Sequence, residues 1–204
     1  MYLKVGFELH KLFIAARDEE GMIIGVTGPI ASGKSVLAEL LMAKGFLRLT
    51  LSEEVREEAK KRGLPIERRA LQDLGNQLRK EFGKGYWAER LLIKMQPGKN
   101  YVIEGIRNPG EVETLRKLPS FILIGISAPV EDRLEWILAR NKDSDPKTRE
   151  GILAIDARDR GVGEGSEGQQ SDACYALADF YILNNTTLED LREKVAQVVQ
   201  ELGC

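Results

Sequence analysis

The chain has 204 residues, of which 43% are hydrophobic and 30% are charged, enough for one domain with a sizeable core. Its formal net charge of −2 lacks the global basic field of a protein that binds long nucleic acids, although a local basic pocket for a small phosphorylated ligand is compatible with it. Two cysteines and one histidine exclude a disulfide framework and a histidine-rich metal site and indicate the cytoplasm. No apolar run is long enough to span a membrane.

The first 21 residues form an N-terminal extension that lacks the features of a cleaved signal. Leu9, Leu12, Phe13 and Ala16 recur at helical spacing and predict an amphipathic docking helix. Met22, where the recognisable pattern of strands and helices starts, is an alternative first residue.

Downstream of residue 21, short apolar runs alternate with stretches of helical periodicity. The predicted strands are 22–27, 46–51, 101–105, 120–126 and 179–183. The predicted helices are 33–44, 52–62, 67–82, 86–95, 109–118, 130–140 and 187–202. Ser52, which precedes two glutamates, is predicted as a helix N-cap. The stretch 161–170 has four glycines and almost no apolar residue, and it predicts a mobile loop.

This alternation predicts an α/β fold in which helices cover both faces of a parallel sheet. In such sheets ligands bind beyond the carboxyl ends of the strands. The glycine-rich loop 28–35, Ser52, the segment 104–107 and Asn184-Asn185 all fall at predicted strand ends. We therefore expect a single active site there.

The segment Gly28-Pro29-Ile30-Ala31-Ser32-Gly33-Lys34-Ser35 matches G-x-x-x-x-G-K-S between a predicted strand and a predicted helix. Its glycines let backbone N–H groups turn toward an anion, and the helix adds its positive dipole end. Lys34 is predicted to reach the β- and γ-phosphates, and Ser35 to ligate Mg²⁺. The pattern therefore predicts ATP and Mg²⁺ as cofactors. The predicted ATP-binding residues of this segment are Gly28, Ala31, Ser32, Gly33, Lys34, Ser35 and Val36.

Glu104 ends the third predicted strand, beside the first strand in folds of this kind. A carboxylate at this place often holds Mg²⁺ through water, so Glu104 is predicted as a metal residue. A strand-end acid that caps the next turn is the alternative.

Arginines are the side chains that hold phosphorylated acceptors. Arg107 follows a glycine at the carboxyl end of the third predicted strand. It is the first candidate for binding the acceptor phosphate and is also predicted to be catalytic. Ser52 and Arg56 are predicted to face the same edge of the sheet. Arg79 is also predicted to bind the acceptor, although a solvated helix arginine is an equal alternative.

Two further arginines border a predicted lid at about 140–170. Arg140 closes a helix before a polar loop, and Arg158 flanks the glycine-rich stretch. Both are predicted to close over the transferring phosphoryl group and exclude water. For Arg140 the alternative is a charge that complements the helix dipole.

From Met22 on, the chain resembles the nucleoside/deoxynucleoside monophosphate kinase and dephospho-CoA kinase branch of P-loop kinases. It is particularly similar to a group of prokaryotic nucleotide-kinase-like ATPases. The matching segments are 28–35, 52–59, 71–79, 103–113, 133–146, 168–170 with Cys174, and 178–185. The resemblance implies a three-layer P-loop NTPase fold with a five-stranded parallel sheet, a helical acceptor-binding insert at about 52–96 and the lid. It also implies that adenine lies near Arg140 and Asn184-Asn185.

Dephospho-CoA kinases carry an aspartate just after the second strand, thought to serve as a base for a sugar hydroxyl. Here that segment reads Leu49-Thr50-Leu51-Ser52. A phosphate acceptor is already ionised and needs no base, so we favour a (deoxy)nucleoside monophosphate as the small-molecule acceptor. A hydroxyl acceptor such as dephospho-CoA or a modified base, with Glu53 in the missing role, and an ATPase switch without an acceptor stay open. So does the oligomeric state.

Overall fold

The structure is a computed structural model that describes residues 21–140 and 145–203. The predicted N-terminal docking helix and the first residues of the predicted lid lie outside the described residues. None of the described helices has the length and apolar character that a bilayer span requires.

Five parallel strands form one sheet, as predicted. They are β1 (Ile23–Thr27), β2 (Leu47–Thr50), β3 (Tyr101–Glu104), β4 (Phe121–Ser127) and β5 (Phe180–Leu183). Their order in the sheet is β2-β3-β1-β4-β5. All five residues of the central strand β1 are buried, because both faces of a parallel sheet are covered.

The described helices pack on both sides of this sheet. They are α1 (Lys34–Ala43), α2 (Leu51–Lys61), α3 (Arg68–Phe82), α4 (Tyr86–Leu92), α5 (Pro109–Leu115), α6 (Val130–Arg140), α7 (Arg149–Arg160), α8 (Ser171–Ala176) and α9 (Leu188–Glu201). Helices α1 and α9 share one core cluster with the sheet, which includes Leu37, Leu41 and Val195. Helices α2 to α5 share another, centred on Leu78 and Trp87. The predicted three-layer α/β architecture is therefore confirmed.

A smaller apolar cluster joins the loop after β1 to helices α6 and α7. It contains Ile30, Leu134, Ile137 and Ile152, with Ala31 packed against it. Because of this cluster, α7 is held against the glycine-rich loop 28–35.

The N-cap of α2 differs from the prediction. Thr50, not Ser52, caps the helix: its backbone is extended and its side chain accepts a hydrogen bond from the Glu53 N–H. The helix thus starts at Leu51, which leaves the side chain of Ser52 inside the first turn. Both residues are good caps, and the end of the strand decides between them.

Helix α7 was not predicted. Its buried residues are Ile152, Asp156 and Asp159. Two of these three are aspartates with charged partners, whereas the buried face of a helix is normally apolar. The following glycine-rich stretch, predicted to be mobile, is hydrogen-bonded to the core. Asn108 donates to the carbonyls of Ser166 and Gly168 at 3.0 and 2.8 Å.

Candidate phosphate-binding and acceptor site

The loop between β1 and α1 depends on two glycines. Gly28 has φ +132°, and a Cβ there would lie 2.0 Å from the carbonyl oxygen of Ile126. Gly33 has φ +104°, and a Cβ there would lie 2.7 Å from the side chain of Leu191. Any side chain would therefore be strained and would clash. Ala31 adopts a left-handed conformation with φ 59°.

The N-terminus of α1 is open to an anion. Gly33 is its N-cap, no side chain caps it, and its first turn holds no acidic residue. Ser35 is exposed in this first turn, and the N–H of Val36 bonds to the carbonyl of Gly33 at 3.0 Å. The buried Oγ of Ser32 has no hydrogen-bond partner among the described residues. The positive end of the helix dipole and the backbone N–H groups of the first turn are therefore available to a phosphate.

The part-buried Lys34 side chain folds back over the loop. Its Nζ donates to the carbonyl oxygens of Gly28 at 2.8 Å and Pro29 at 2.5 Å. Desolvation, followed by the positive charge of Arg107, lowers the pKa of Lys34 to about 7, while Asp159 and Glu104 act in the opposite direction. The charges of Lys34 and Arg107 therefore interact.

Two buried side chains support the loop from beneath. Asn184 donates to the carbonyl of Ser32 at 3.2 Å, and Arg133 donates to the carbonyl of Ile30 at 3.1 Å. Arg133 also forms a bidentate ion pair with Asp156 of α7, at 2.5 and 2.9 Å. The residue predicted to lie near adenine, Asn184, thus contacts the phosphate loop itself. Arg133 was not predicted as a site residue, because nothing in its local sequence sets it apart from other helix arginines.

Glu104 lies at the carboxyl end of β3, paired in register with Val26 of β1. It is mostly buried, and its Oε2 accepts from Nε of Arg48 at 2.5 Å. Within the described ranges, no group of three or more His, Cys, Asp or Glu residues could hold a metal ion. One carboxylate and the Ser35 hydroxyl suit Mg²⁺, which takes most of its ligands from water and phosphate oxygens.

A cleft of about 650 Å³, including the space open to solvent, lies between α2, α3 and the segment after β3. It brings together all four predicted acceptor residues, Ser52, Arg56, Arg79 and Arg107. The remaining lining residues are Leu51, Val55, Ile66, Arg68, Leu71, Gln72, Gly75, Trp87, Gly105 and Gln169. Arginines and apolar side chains in one cleft suit a ligand with an anionic group and a flat ring.

The arginines of this cleft differ in their partners. Arg79 is 4% exposed and bonds to the buried Glu111 at 2.8 and 2.9 Å and to Asn76 at 3.2 Å. In contrast, no hydrogen bond or ion pair joins the guanidinium of Arg56 or Arg107 to any other described residue. These two are therefore able to take an anion, whereas Arg79 is committed to an internal pair.

Sequence reasoning missed Arg68. One of its terminal nitrogens donates to Asp159 at 2.9 Å and the other lies 3.7 Å from Asp145. Its buried Nε has no hydrogen-bond partner in residues 21–140 and 145–203. In the sequence it is one of two adjacent arginines at a helix start, and no local signal distinguishes it from Arg69.

The two predicted lid arginines are engaged in ion pairs. Arg140 bonds to Asp145 at 2.7 Å. Arg158 bonds to Asp73 of α3 at 2.7 Å and to Glu164 at 2.5 Å. In this arrangement the segment that contains α7 is docked on α3 by charged contacts.

A parallel sheet with this strand order and a glycine-rich loop leading into α1 define the P-loop kinase-like fold. A family model described as an AAA domain matches residues 24–158.

The chain is 31% identical to the UPF0200 protein of Sulfurisphaera tokodaii, over 88% of this chain and 97% of that protein. The crystal structure of TT1252 from Thermus thermophilus superimposes with a TM-score of 0.56 at 25% identity and covers 90% of this chain and 98% of its own. Dephospho-CoA kinase from Campylobacter jejuni has the same fold, with a TM-score of 0.52, 22% identity and coverage of 88% and 96% of the two chains. The chain belongs to the UPF0200 family and contains an AAA domain, and its fold is the P-loop kinase-like fold.

Proposed function

We propose that this chain is an ATP- and Mg²⁺-dependent phosphotransferase that moves the γ-phosphoryl group to a (deoxy)nucleoside monophosphate. The observation that carries the proposal is a pair of guanidinium groups, Arg56 and Arg107, that bond to no described residue and lie in a cleft whose charge reaches Lys34. Such a pair suits an anionic ligand, because the five-donor fork of arginine matches phosphate geometry.

On the donor side, Lys34 would exchange the carbonyl oxygens of Gly28 and Pro29 for the β- and γ-phosphate oxygens. The loop N–H groups and the N-terminus of α1 would cradle the same phosphates. Ser35 and Glu104 would hold Mg²⁺, which supplies neutralising charge at these oxygens when bound.

On the acceptor side, Arg107 and Arg56 would hold the acceptor phosphate, with Nε of Arg68 as a third donor. The aliphatic wall of Leu51, Val55 and other lining residues suits one face of a nucleobase. Because the acceptor oxygen is already ionised, positioning and charge neutralisation suffice for in-line transfer.

Arg140 and Arg158 are proposed to complete the site on closure. To do so they would leave Asp145 and Asp73 for the transferring phosphoryl group. The partly exposed pair of Arg158 with Asp73 is weak enough to be exchanged. Asp145 is buried and would keep Arg68, at 3.7 Å, as its counter-charge when Arg140 leaves. We place this reaction in the cytoplasm.

A coupled ADP-release assay with ATP and Mg²⁺ tests the proposal. Each common ribo- and deoxynucleoside monophosphate, and dephospho-CoA, is added separately. Stimulation by one or more monophosphates supports the proposal. Stimulation by dephospho-CoA alone would replace it with a hydroxyl-acceptor kinase, and ADP release that no acceptor changes would replace it with an ATPase switch.

A further inference from the structure

A buried carboxylate of α7 lies behind the wall of the cationic cleft. Asp159 is 2% exposed. Its Oδ2 accepts from Arg68 at 2.9 Å and its Oδ1 accepts from Gln72 at 2.6 Å. Both donors line the acceptor cleft, so this carboxylate lies directly behind two residues of the cleft wall.

Asp159 carries a negative charge. Burial alone would raise the pKa of this carboxyl group, but Arg107 and Arg68 hold the pKa below its usual value. The same charge raises the pKa of Lys34, against the effect of Arg107. One carboxylate therefore acts on the cations of both the donor side and the acceptor side.

The position of Asp159 is fixed by the contacts of Asp156, which lies one turn before it in α7. Asp156 is locked to Arg133, which in turn bonds to the P-loop carbonyl of Ile30. Residues three apart lie on the same face of a helix, so the contact that anchors Asp156 to the loop also holds Asp159 toward the cleft. The apolar cluster that includes Ile152 and Ile30 strengthens this anchor. The negative charge is thus fixed directly behind the wall of the cleft.

We propose that Asp159 is a specificity-determining residue that restricts the acceptor to a single phosphate group. Arg56, Arg107 and Nε of Arg68 attract one anion, whereas the fixed carboxylate repels the additional charges of a di- or triphosphate. Like charges brought together in a partly desolvated site are strongly unfavourable, and such repulsion is a common source of specificity. The inference rests on the proposed function, since it concerns the acceptor cleft.

Calorimetric titration of the full chain tests this role, with a non-hydrolysable ATP analogue and Mg²⁺ saturating the P-loop. Inorganic phosphate and pyrophosphate are the probes for the remaining site. We expect the wild-type protein to bind phosphate at least about tenfold more tightly than pyrophosphate. In Asp159→Asn this preference should shrink by about tenfold or more, because the repulsion has been removed.

Asp172→Asn is the matched control. It removes the carboxylate of an exposed pair with Arg160 at 2.8 Å, and it should leave the preference unchanged. Asp159→Ser repeats the neutralisation with a hydroxyl group in place of the amide, and thermal unfolding confirms that each variant is folded.

An unchanged preference in folded Asp159→Asn and Asp159→Ser would overturn the inference. So would unchanged binding of both probes combined with loss of phosphoryl transfer, since that would make Asp159 a catalytic group. A wild-type protein that binds the ATP analogue but neither probe would instead overturn the acceptor cleft itself, and with it the proposed function.

Discussion

Arg79 and Glu111 form an ion pair at 2.8 Å that is almost wholly removed from solvent, with exposed side-chain fractions of 4% and 0%. The other carboxylate oxygen of Glu111 accepts from the backbone N–H groups of Arg107 and Asn108 at 2.8 and 3.0 Å. Arg79 therefore holds the segment that presents Arg107 to the cleft.

We expect Arg79→Met to lower the free energy of unfolding by about 3–5 kcal/mol, because it leaves the Glu111 carboxylate buried and unpaired. Urea unfolding measures this change. Arg149→Ala, which breaks an exposed pair with Glu131, serves as the control and should cost less than about 1 kcal/mol. Equal, small effects of both substitutions would contradict a structural role for Arg79.

Lys34→Ala should abolish phosphoryl transfer. In the proposed mechanism its ammonium group binds the β- and γ-phosphates, and it is the one lysine or arginine of the loop 28–35. Lys44→Ala, at the far end of the same helix, is the control for the general effect of losing a lysine. Wild-type turnover by Lys34→Ala, measured as ADP release, would be incompatible with the proposed mechanism.

Nucleotide binding should take up a proton above neutral pH. In the protein alone the pKa of Lys34 is about 7, so at pH 8 its amine is mostly neutral, and contact with phosphates restores its charge. We expect uptake of nearly one proton per MgADP at pH 8 and very little at pH 6. Calorimetry in two buffers of different ionisation enthalpy measures it, and Lys34→Met should remove the difference.

The lowered pKa of Lys34 also makes the free energy of unfolding depend on pH. Between about pH 7 and pH 10.5 the unfolded chain binds the Lys34 proton more tightly than the folded chain does. Stability contributed by this group therefore rises with pH across that window. Lys34→Met should flatten this part of the stability curve, and a curve unchanged by the substitution would show that the pKa is not lowered.

Arg107→Ala should mainly raise the KM for the acceptor, by about tenfold to a hundredfold, because it removes the proposed charge-assisted contact to the acceptor phosphate. Steady-state kinetics with the acceptor found in the ADP-release assay gives KM and kcat separately. Arg192→Ala, on the exposed side of α9, is the control. An effect confined to the KM for ATP would assign Arg107 to the donor side instead.

Asn184→Leu distinguishes support of the P-loop from contact with adenine. Because Asn184 bonds to the Ser32 carbonyl, we expect affinity for ATP and GTP to fall by the same factor. A change in the preference between the two nucleotides would instead restore the predicted role of Asn184 beside the base. Binding of both nucleotides to each protein gives this comparison.

The five strands and most helices could be predicted because their signals are local. A short apolar run reads as a buried strand wherever it packs, and G-x-x-x-x-G-K-S requires the same loop in any strand–helix context. The meeting of Ser52, Arg56 and Arg107 at one cleft also follows from sequence, since the carboxyl ends of parallel strands share one edge of the sheet.

Helix α7 and the partners of the arginines could not be predicted in this way. The burial of Asp156 and Asp159 depends on Arg133 and Arg68, which lie 23 and 91 residues away in the chain. A buried charge is tolerated only where its counter-charge is placed within a few ångströms, and no local pattern records that distance.

The sequence by itself determined the α/β class, the order of its elements and the phosphate loop, because each depends on residue type and spacing within a few positions. The tertiary structure alone decided which charges are free. It pairs Arg79 with Glu111, leaves the guanidinium groups of Arg56 and Arg107 without a partner among the described residues, and places Asp159 directly behind the wall of the cleft. Electrostatic interaction depends on separation in space, so the same arginine is a support in one position and a ligand-binding group in another.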